Sequence, residues 1–353
     1  MTQAERQRTL RNPEDLAELV PAKETRAVAA RYAVAVTPAM RALITDRDDP
    51  IGRQFLPHPD ELVTAPHECG DPIGDDALSP VKGIVHRYPD RALLKPLLVC
   101  PVYCRFCFRR EHVGPDGGLL TGAELDAALD WLRARPAIRE VILTGGDPLM
   151  LSPRRMGALI AALSAIPHVE TIRLHSRVPL ADPDRVTPEL VAALGTDRAL
   201  WLVVHANHAD EFTPAGRAAL RRILAAGIPL LGQSVLLAGV NDTEAALEAL
   251  FRAQIATRMK PYYLHQLDPA PGTARFHVPI VRGRALLAAL RGRVTGLAWP
   301  TYVFDVPGGF GKVPVGPDWF EGETVRDTAG RRHAVARPAP QGLDTATFPP
   351  ARE

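Results

Sequence analysis

The sequence is poor in lysine and close to neutral in charge. Only five of its 42 lysine and arginine residues are lysines, namely Lys23, Lys82, Lys95, Lys260 and Lys312. A reaction that needs a primary amine therefore has five candidates, because the guanidinium group of arginine stays protonated. A formal net charge of +2 over 353 residues gives no electrostatic case for a nucleic-acid or membrane-surface partner.

Long hydrophobic runs are also missing. The first 19 residues carry charges every few positions, unlike a signal peptide. The longest uncharged stretch, residues 223–241, contains Pro229 and three glycines, which favour turns over a membrane span. With 46% hydrophobic residues the chain can still bury a core. We therefore expect a folded cytoplasmic protein without a membrane partner.

From Ala92 onward, short apolar runs rich in β-forming residues alternate with helical patterns. After the first run their starts are roughly 30 residues apart, the length of one strand–helix unit. The six predicted strands are Ala92–Val99, Glu140–Leu143, Val169–Leu174, Leu200–Val204, Ile228–Leu237 and Pro261–Leu267. This alternation predicts an α/β fold with a parallel sheet, and six consecutive units favour a barrel or an open barrel.

Helix-start signals support these units. Thr121 with Glu124 has the form of a capping box. Three further helices are expected where a cap residue precedes a proline, at Ser152, Thr187 and Thr213, and another is expected to open at Asn241-Asp242.

The pattern divides the chain into three predicted regions. Residues 1–85 form a helical N-terminal region, with candidate helices near residues 15–18, 25–34 and 38–44, and residues 86–298 form the strand–helix repeat. Residues 299–353 form a C-terminal segment that opens with a further strand-like run, Thr301–Phe304. The polar, proline-rich tail beyond about Gly322 is expected to be loosely ordered.

Polar segments follow each of the six predicted strands. They are Cys100–Cys107, Thr144–Pro148, His175–Arg177, His205–His208, Gln233–Ser234 and Gln266–Asp268. Because active sites of parallel α/β folds lie at the carboxyl ends of the strands, these segments predict the location of a site.

Three of the four cysteines, Cys100, Cys104 and Cys107, fall within eight residues. Such spacing argues for a metal centre over disulfides. Three thiolates can hold three irons of a [4Fe–4S] cluster and leave the fourth iron open. The alternative is a zinc site, but structural zinc usually takes four ligands, often as two cysteine pairs, and Cys69 has no pairing partner in the sequence.

The cysteine loop, with Tyr103 before the second cysteine, resembles that of the radical S-adenosylmethionine superfamily. The segment Thr144–Pro148 is similar to the glycine-rich element of that superfamily, which binds the aminoacyl part of the cofactor. In that role Gly145 and Gly146 would let the backbone approach a ligand closely, and Asp147 would accept a hydrogen bond from an ammonium group.

A narrower resemblance is to the lysine 2,3-aminomutase family. It runs from about residue 80 to 320 and rests on four motifs, His86–Arg91, Cys107–Arg110, Gln233–Leu237 and Pro307–Pro314. The resemblance implies an incomplete (βα)6 barrel with a helical N-terminal extension. It also implies three cofactors: a [4Fe–4S] cluster, S-adenosylmethionine and pyridoxal phosphate.

The resemblance assigns the pyridoxal phosphate to a lysine, which matches Lys312. This residue follows a glycine-rich turn, which Phe310 interrupts relative to the family pattern, whereas Lys260 starts the sixth predicted strand at the end away from the site. Arg87 and Arg91 flank Tyr88 and match the family's phosphate contacts, and Arg177 is a further candidate for the phosphate.

The resemblance also implies the substrate contacts. Arg109 matches the family's cation for the α-carboxylate, and Asp268 and Asp305 match the two carboxylates that hold the distal ammonium of lysine. Two carboxylates would repel a glutamate side chain. The remaining polar residues at the strand ends could line the cofactor pocket or be structural: His205, Asn207, His208, Gln233 and Ser234.

The reaction that the resemblance implies moves the α-amino group of L-lysine to the β-carbon. It needs an electron donor such as flavodoxin or ferredoxin. A homo-oligomeric state stays open. The chain resembles the shorter bacterial branch that serves elongation factor P, and lacks the C-terminal cysteines that bind zinc in longer members. Two alternatives stay open: an aminomutase for another basic amino acid such as arginine or ornithine, and a non-catalytic iron–sulfur binding module.

Overall fold

A curved sheet carries the centre of the fold in the computed structural model, which describes residues 8–321 and 324–334. Its strands are β1 (Ile84–Tyr88), β2 (Arg91–Leu97), β3 (Glu140–Gly145), β4 (Thr171–Ser176), β5 (Ala199–His205), β6 (Leu230–Val235), β7 (Met259–His265), β8 (Thr301–Val306) and β9 (Gly311–Pro314). The strands follow one another in chain order, with β2 to β8 parallel and β1 and β9 antiparallel at the edges.

Helices connect the parallel strands. The α-helices are α1 (Ala22–Ala29), α2 (Pro38–Arg41), α3 (Gly52–Phe55), α4 (Gly122–Arg133), α5 (Pro153–Ser164), α6 (Val178–Ala181), α7 (Pro188–Ala192), α8 (Pro214–Ala225), α9 (Glu244–Ala256) and α10 (Ile280–Leu290). Short 3-10 helices span Pro13–Leu16, Pro59–Leu62, Pro115–Gly117, Pro148–Met150, Pro183–Arg185, Ala209–Glu211, Ala274–Phe276 and Gly296–Ala298. Within the described ranges, none of these helices is long and apolar enough to span a membrane.

The predicted open barrel is confirmed, and the structure extends it by one strand. All six predicted strands occur as β2 to β7, and the run near Thr301 pairs with β7 as a seventh parallel strand. The helix between β7 and β8, α10, had no start signal in the sequence because it has no polar cap residue. Pro279 precedes it and makes no side-chain capping bond.

Four of the five predicted helix starts are confirmed. Thr121 accepts a hydrogen bond from Glu124 N at 3.2 Å, and Ser152, Thr187 and Thr213 cap their helices in the same manner. The start at Asn241-Asp242 was placed too early, because Thr243 is the residue that caps α9. The Asn241 side chain is buried and donates to the carbonyl oxygens of Asn207 and Val235, each at 2.9 Å.

Side chains alternate between the two faces of the sheet. Leu143, Leu174 and Leu202 point outward into the main hydrophobic core, where they join apolar residues of the helices. Their neighbours along each strand point to the inside of the barrel, because successive residues of a strand face opposite sides. The inner face therefore collects the polar side chains of the strand ends.

The N-terminal region has a separate core that reaches the cysteine loop. Leu16, Val36, Met40 and Phe55 pack together, and Val102 of the cysteine loop belongs to the same cluster. This contact places the loop against residues that precede the sheet in the chain.

Contacts divide the chain into two compact units, with the boundary after Gly316. The second unit contains a three-stranded antiparallel sheet of β10 (Phe320–Glu321), β11 (Thr324–Arg326) and β12 (Arg332–Ala334). The expected loose order beyond Gly322 is therefore wrong for residues 324–334, and the rest of that tail, residues 335–353, lies outside the described residues.

Candidate active site

A cavity of about 440 Å³ opens at the carboxyl ends of the parallel strands. Most of the predicted site residues line it: Arg87, Tyr88, Arg91, Cys100, Cys104, Cys107, Arg109, Gly146, Asp147, Arg177, His205, Gln233, Asp268, Asp305 and Lys312. Gly145, Asn207, His208 and Ser234 do not line it. One site thus gathers residues from almost every strand of the sheet.

The three cysteines occupy the loop after β2. The amide of Cys107 donates to the carbonyl of Cys104 at 3.1 Å, which curls the loop, and all three cysteines line the cavity. Burial raises the pKa of each thiol, that of Cys107 to about 11. Iron coordination requires the thiolate form, so cluster binding would release the protons of these thiols.

Two arginines between and after the cysteines anchor this loop. Arg105 lies almost fully buried and its Nε donates to both carboxylate oxygens of Glu61, at 3.1 and 2.9 Å. Arg110 contacts the same carboxylate. Burial of two cations against one anion needs well-formed hydrogen bonds, and here they join the loop to the N-terminal region. Sequence reasoning missed Glu61, which lies 39 residues before Cys100.

The two glycines at the end of β3, Gly145 and Gly146, approach the backbone that leads to the cysteine loop. Gly146 N donates to Leu97 O at 2.8 Å and Asp147 N to Val99 O at 2.9 Å. A Cβ atom at Gly146 would lie 2.4 Å from Val99 O. Gly145 has φ +105°, a conformation that L side chains rarely adopt. In this structure the close approach is to the protein's own chain.

The Asp147 carboxylate is fully engaged by the protein. Its Oδ1 accepts from Leu149 N at 3.0 Å and from Ser176 Oγ at 2.7 Å, and its Oδ2 accepts from the amides of Arg177 and Val178 at 2.6 and 3.1 Å. Four donors fill the acceptor capacity of one carboxylate. The expected contact of Asp147 with a ligand ammonium does not fit this arrangement, and we reassign Asp147 to joining the ends of β3 and β4.

Arg177 lies beside the cysteine loop. Its Nη1 donates to Cys104 Sγ at 3.3 Å, and its Nη2 donates to Gln54 Oε1 at 2.7 Å and to Glu211 Oε2 at 2.6 Å. These three partners engage both terminal nitrogens of the guanidinium group. Its expected role as a phosphate contact does not fit this position, because β4 delivers it to Cys104.

Lys312 and Asp305 form the centre of the opposite wall. Lys312 Nζ lies 2.6 Å from Asp305 Oδ1, and the amide of Lys312 donates to the hydroxyl of Tyr88 at 2.8 Å. Burial acts to raise the pKa of Asp305, but the hydrogen bond with His265 and the charge of Lys312 outweigh it and lower that pKa. Asp305 is therefore ionised and holds the lysine amine at the cavity.

Cationic side chains surround this pair, each oriented by an acid. Arg87 lies 3.4 Å from Asp75 and 3.5 Å from Asp305, and its Nη2 donates to Ile73 O at 2.6 Å. Arg91 pairs with the neighbouring Asp90 at 2.8 Å, and its guanidinium carbon lies 4.9 Å from the centre of the Tyr88 ring. Guanidinium groups held in this way present their free N–H groups to an anion.

Arg109, predicted to bind the substrate carboxylate, is oriented by Asp75. Arg109 Nε and Nη2 both lie 2.8 Å from Asp75 Oδ2, and Nη1 donates to Thr144 Oγ1 at 3.3 Å. Asp75 thus engages the Nε and Nη2 edge of the Arg109 guanidinium group. Asp75 lies 25 residues before Cys100 in a segment without regular structure, and no sequence signal marked it.

Asp268 differs from Asp305 in having no cation bound to its carboxylate. No side chain of residues 8–321 or 324–334 hydrogen-bonds to the carboxylate, which lines the cavity. Burial and the nearby charge of Asp305 raise the pKa of Asp268 to about 7. The cavity therefore contains one ionised acid that is paired and one acid that is poised to accept a cation.

The five remaining strand-end residues separate into two groups. His205 and Gln233 line the cavity, and the Oε1 atom of Gln233 is buried without a partner among the described residues. Asn207, His208 and Ser234 make internal bonds: Asn207 Oδ1 accepts from Val235 N, His208 Nδ1 accepts from Asp210 N, and Ser234 Oγ donates to Ala206 O. The second group makes hydrogen bonds within the protein and does not line the cavity.

Strand alternation could have revealed other cavity residues. His175 and Arg173 lie two and four residues before Arg177 on the same face of β4, and Tyr263 and His265 share a face of β7. Arg173 pairs with Glu140 at 2.9 Å. The Nε2 atoms of His175 and His265 are buried without hydrogen-bond partners in the described part of the chain. Burial lowers the pKa of both imidazoles, so they are neutral.

These features fit the three cofactors that the sequence implies. Three thiols in one curled loop suit an iron–sulfur cluster. An amine beside several oriented guanidinium groups suits an aldehyde that carries a phosphate. Unpartnered buried atoms of His175, Gln233 and His265 leave hydrogen-bonding capacity for polar ligands in the cavity.

Comparison with known proteins agrees with this chemistry. The model of the Radical SAM superfamily matches residues 94–250. The L-lysine 2,3-aminomutase of Acetoanaerobium sticklandii is 41% identical over 288 residues, which cover 81% of this chain and 70% of that protein. The L-lysine 2,3-aminomutase of Clostridium subterminale is also 41% identical over 288 residues, covering 81% and 69%.

A relative with a different named substrate also matches. The glutamate 2,3-aminomutase of Clostridioides difficile is 32% identical over 295 residues, which cover 83% of this chain and 70% of that protein. Overall similarity therefore identifies a scaffold for amino-group migration, and the choice of amino acid depends on individual residues of the cavity.

Proposed function

The chain belongs to the lysine 2,3-aminomutase family of radical S-adenosylmethionine enzymes, and on that premise we propose that it moves the α-amino group of L-lysine to the β-carbon, giving β-lysine. The family's cofactors are a [4Fe–4S] cluster, S-adenosylmethionine and pyridoxal phosphate, which supply radical initiation and a carrier for the migrating amino group. The other inferences concern this chain's own residues.

The observation that carries the proposal is the pair of acids in the cavity. Asp305 is buried and bound to Lys312, whereas Asp268 faces the cavity without a bound cation from the part of the chain that the structure describes. A lysine ε-ammonium supplies the missing positive charge and relieves the repulsion between the two carboxylates. A glutamate side chain would add a third negative charge at this point and be repelled.

We propose that Arg109 binds the α-carboxylate, at the opposite end of the substrate from the ε-ammonium. Asp75 occupies its Nε and one side of Nη2, so the guanidinium can still offer N–H groups of Nη1 and Nη2 to an α-carboxylate. A fork already held by a buried acid loses little side-chain freedom when the substrate binds. We propose that Arg109 and Asp268 together select an amino acid with a distal cation.

The roles of the remaining residues follow from their positions. We propose that Cys100, Cys104 and Cys107 bind the cluster and that Lys312 holds pyridoxal phosphate, with Arg87 and Arg91 toward the phosphate and Tyr88 fixing the lysine backbone. His205, Gln233 and the backbone at Gly146 border the cysteine side and suit S-adenosylmethionine. Apolar wall residues such as Phe106, Val203 and Val235 exclude water from the reacting atoms.

Anaerobic turnover tests the proposal. The full chain is reconstituted with iron, sulfide, S-adenosylmethionine, pyridoxal phosphate and a reductant, and is offered L-lysine, L-arginine, L-ornithine and L-glutamate in separate reactions. We expect β-lysine from L-lysine and no product from glutamate. Absence of β-lysine from a protein with intact cofactors would reject the proposal, and faster turnover of arginine or ornithine would redirect it to that substrate.

A pair of lysine variants provides the control. Lys312→Ala should lose turnover and the absorbance of the lysine-bound cofactor. Lys82→Ala should retain both, because the Lys82 ammonium is on the surface, paired with Glu124 at 2.7 Å. Equal loss in the two variants would point to a general effect of lysine removal.

The family context supports three further proposals. We propose that a small reduced electron carrier such as flavodoxin or ferredoxin reduces the cluster, that the enzyme acts in the cytoplasm, where reducing conditions preserve thiolate ligands, and that it forms a homo-oligomer. We also propose the three-region organisation at residues 85/86 and 298/299. Purification of the holoenzyme followed by light scattering measures the oligomeric state, and a reduction assay with purified flavodoxin tests the donor.

A further inference from the structure

Arg177 has surroundings that a phosphate ligand would not need. It follows β4, where Ser176 ends the strand, and its side chain is 5% exposed. The guanidinium carbon lies 4.7 Å from the centre of the Phe55 ring and 5.8 Å from the centre of the Phe106 ring. Phe106 stands between Cys104 and Cys107, so a cation is enclosed directly against the cysteine loop.

Other residues fix the direction of this guanidinium. Glu211 accepts Nη2 at 2.6 Å, and its other oxygen accepts the amides of Asn207 and His208 at 2.8 and 2.9 Å. Gln54 accepts the same nitrogen at 2.7 Å and also the side-chain amide of Asn207 at 3.0 Å. With Nη2 held on this side, Nη1 is directed at Cys104 Sγ at a distance of 3.3 Å.

The three cysteine sulfurs are therefore not equivalent. Cys104 receives a guanidinium N–H, whereas no side chain of the described residues donates a hydrogen bond to Cys100 or Cys107. A donor aimed at a ligand sulfur stabilises the more negative, reduced state of an iron–sulfur cluster, and buried charge strengthens this effect. A charge-assisted hydrogen bond is about twice as strong as a neutral one.

We propose that Arg177 tunes the reduction potential of the iron–sulfur cluster through its hydrogen bond to Cys104. The inference rests on the proposed cluster site and goes beyond it, because it assigns to one buried side chain the ease with which the cluster accepts an electron. Arg177 is a positioning and tuning residue, since it acts through the cysteine ligand.

The test is a redox titration monitored by electron paramagnetic resonance on the reconstituted full chain. Arg177→Gln should lower the potential, so that the ratio of reduced to oxidised cluster at a fixed solution potential falls about tenfold, equivalent to about 59 mV for one electron. Arg177→Lys keeps a cation and should shift the potential less. Arg173→Gln is the matched control: Arg173 lies four residues earlier, within β4, and is also paired with a glutamate, Glu140, but it makes no contact with a cysteine in the described residues.

A second measurement covers loss of the cluster in the variant. Wild-type protein containing arginine labelled with ¹⁵N only in the guanidinium group should show a weak ¹⁵N coupling to the reduced cluster in pulsed resonance spectra, and Arg177→Lys should abolish it. Unchanged potentials in cluster-loaded variants, an equal shift in Arg173→Gln, or the absence of the ¹⁵N coupling would overturn the inference. Iron and sulfide analysis separates these outcomes from failure of the proposed function, because a protein without a cluster contradicts the site itself.

Discussion

The raised pKa of Asp268 predicts that lysine affinity depends strongly on pH. Burial and the charge of Asp305 raise this pKa to about 7, whereas the ε-ammonium of lysine, with an ordinary pKa of about 10.4, stays charged across the range. Lysine binding requires the ionised carboxylate and should weaken as the pH falls below the pKa of Asp268. The ionised fraction is about nine-tenths at pH 8 and about one-tenth at pH 6.

The expected effect follows from these fractions. The dissociation constant for L-lysine should rise about tenfold between pH 8 and pH 6. Asp268→Asn should weaken lysine binding at pH 8 and flatten this profile, because an amide has no proton to lose in the range. L-Norleucine, which has the same length as lysine without its ammonium, should bind with little pH dependence and should be less affected by the substitution.

Competition measurements on the cofactor-loaded protein give these constants. Inhibition constants for norleucine and apparent constants for lysine are compared at pH 6, 7 and 8 in the wild type and in Asp268→Asn. If Asp268→Asn retains the full lysine pH profile, another group controls binding and the role given to Asp268 is refuted. An identical pH dependence for norleucine would refute it as well.

The same shift predicts a change in stability, which shows whether the variant folds. An acid whose folded-state pKa is raised binds more protons in the folded state than in the unfolded state. Asp268 therefore reduces stability progressively as the pH rises from about 3.8, its ordinary value, to about 7. Asp268→Asn without substrate should melt at a higher temperature than the wild type at pH 8, with the difference shrinking toward pH 4.

Three other predictions follow from the contacts of the site. Lys312→Ala should lose the cofactor absorbance near 420 nm, because no amine remains to hold the aldehyde; retention of that band would remove Lys312 from the assignment. Asp75→Asn should raise the KM for lysine about tenfold with a smaller effect on kcat, because Arg109 loses the acid that orients it; an unchanged KM would refute this orienting role. Gly146→Ala should lower the free energy of unfolding by about 1–3 kcal/mol and reduce iron content, because a Cβ atom would lie 2.4 Å from a backbone oxygen. The control Gly157→Ala in helix α5, where no contact would be closer than 3.7 Å, should be neutral or stabilising by up to about 1 kcal/mol. Equal destabilisation of the two variants in thermal melts would contradict the packing argument.

Features that are local in the chain could be predicted from the sequence. The spacing of Cys100, Cys104 and Cys107, the cap residues of four helices and the roughly 30-residue rhythm of the strands each depend on residues close to one another. The edge that carries the site also followed, because the carboxyl ends of neighbouring parallel strands meet at one edge of a sheet. Lys312 was predicted from its place after a glycine-rich turn together with the family resemblance, and its role stays a prediction.

Where the sequence failed, a distant partner had changed the role of a correctly noticed residue. Asp147 belongs to the glycine-rich element, but four donors from β4 and its own loop occupy its carboxylate. Arg177 stands at a strand end as expected, but Glu211 and Gln54 direct it to Cys104. The hydrogen-bond partners of Asp147 and of Arg177 cannot be identified from the sequence before the neighbours in space are known.

The sequence by itself determined which chemical groups the protein has and at which edge of the sheet they gather. Short-range spacing, strand alternation and the scarcity of lysine were sufficient for that. Only the tertiary structure decided which groups remain free to act, because hydrogen bonds between distant segments use up some side chains and aim others. Asp75 holds Arg109 and Arg177 is aimed at Cys104, whereas Asp268 has no cation bound to it among the described residues.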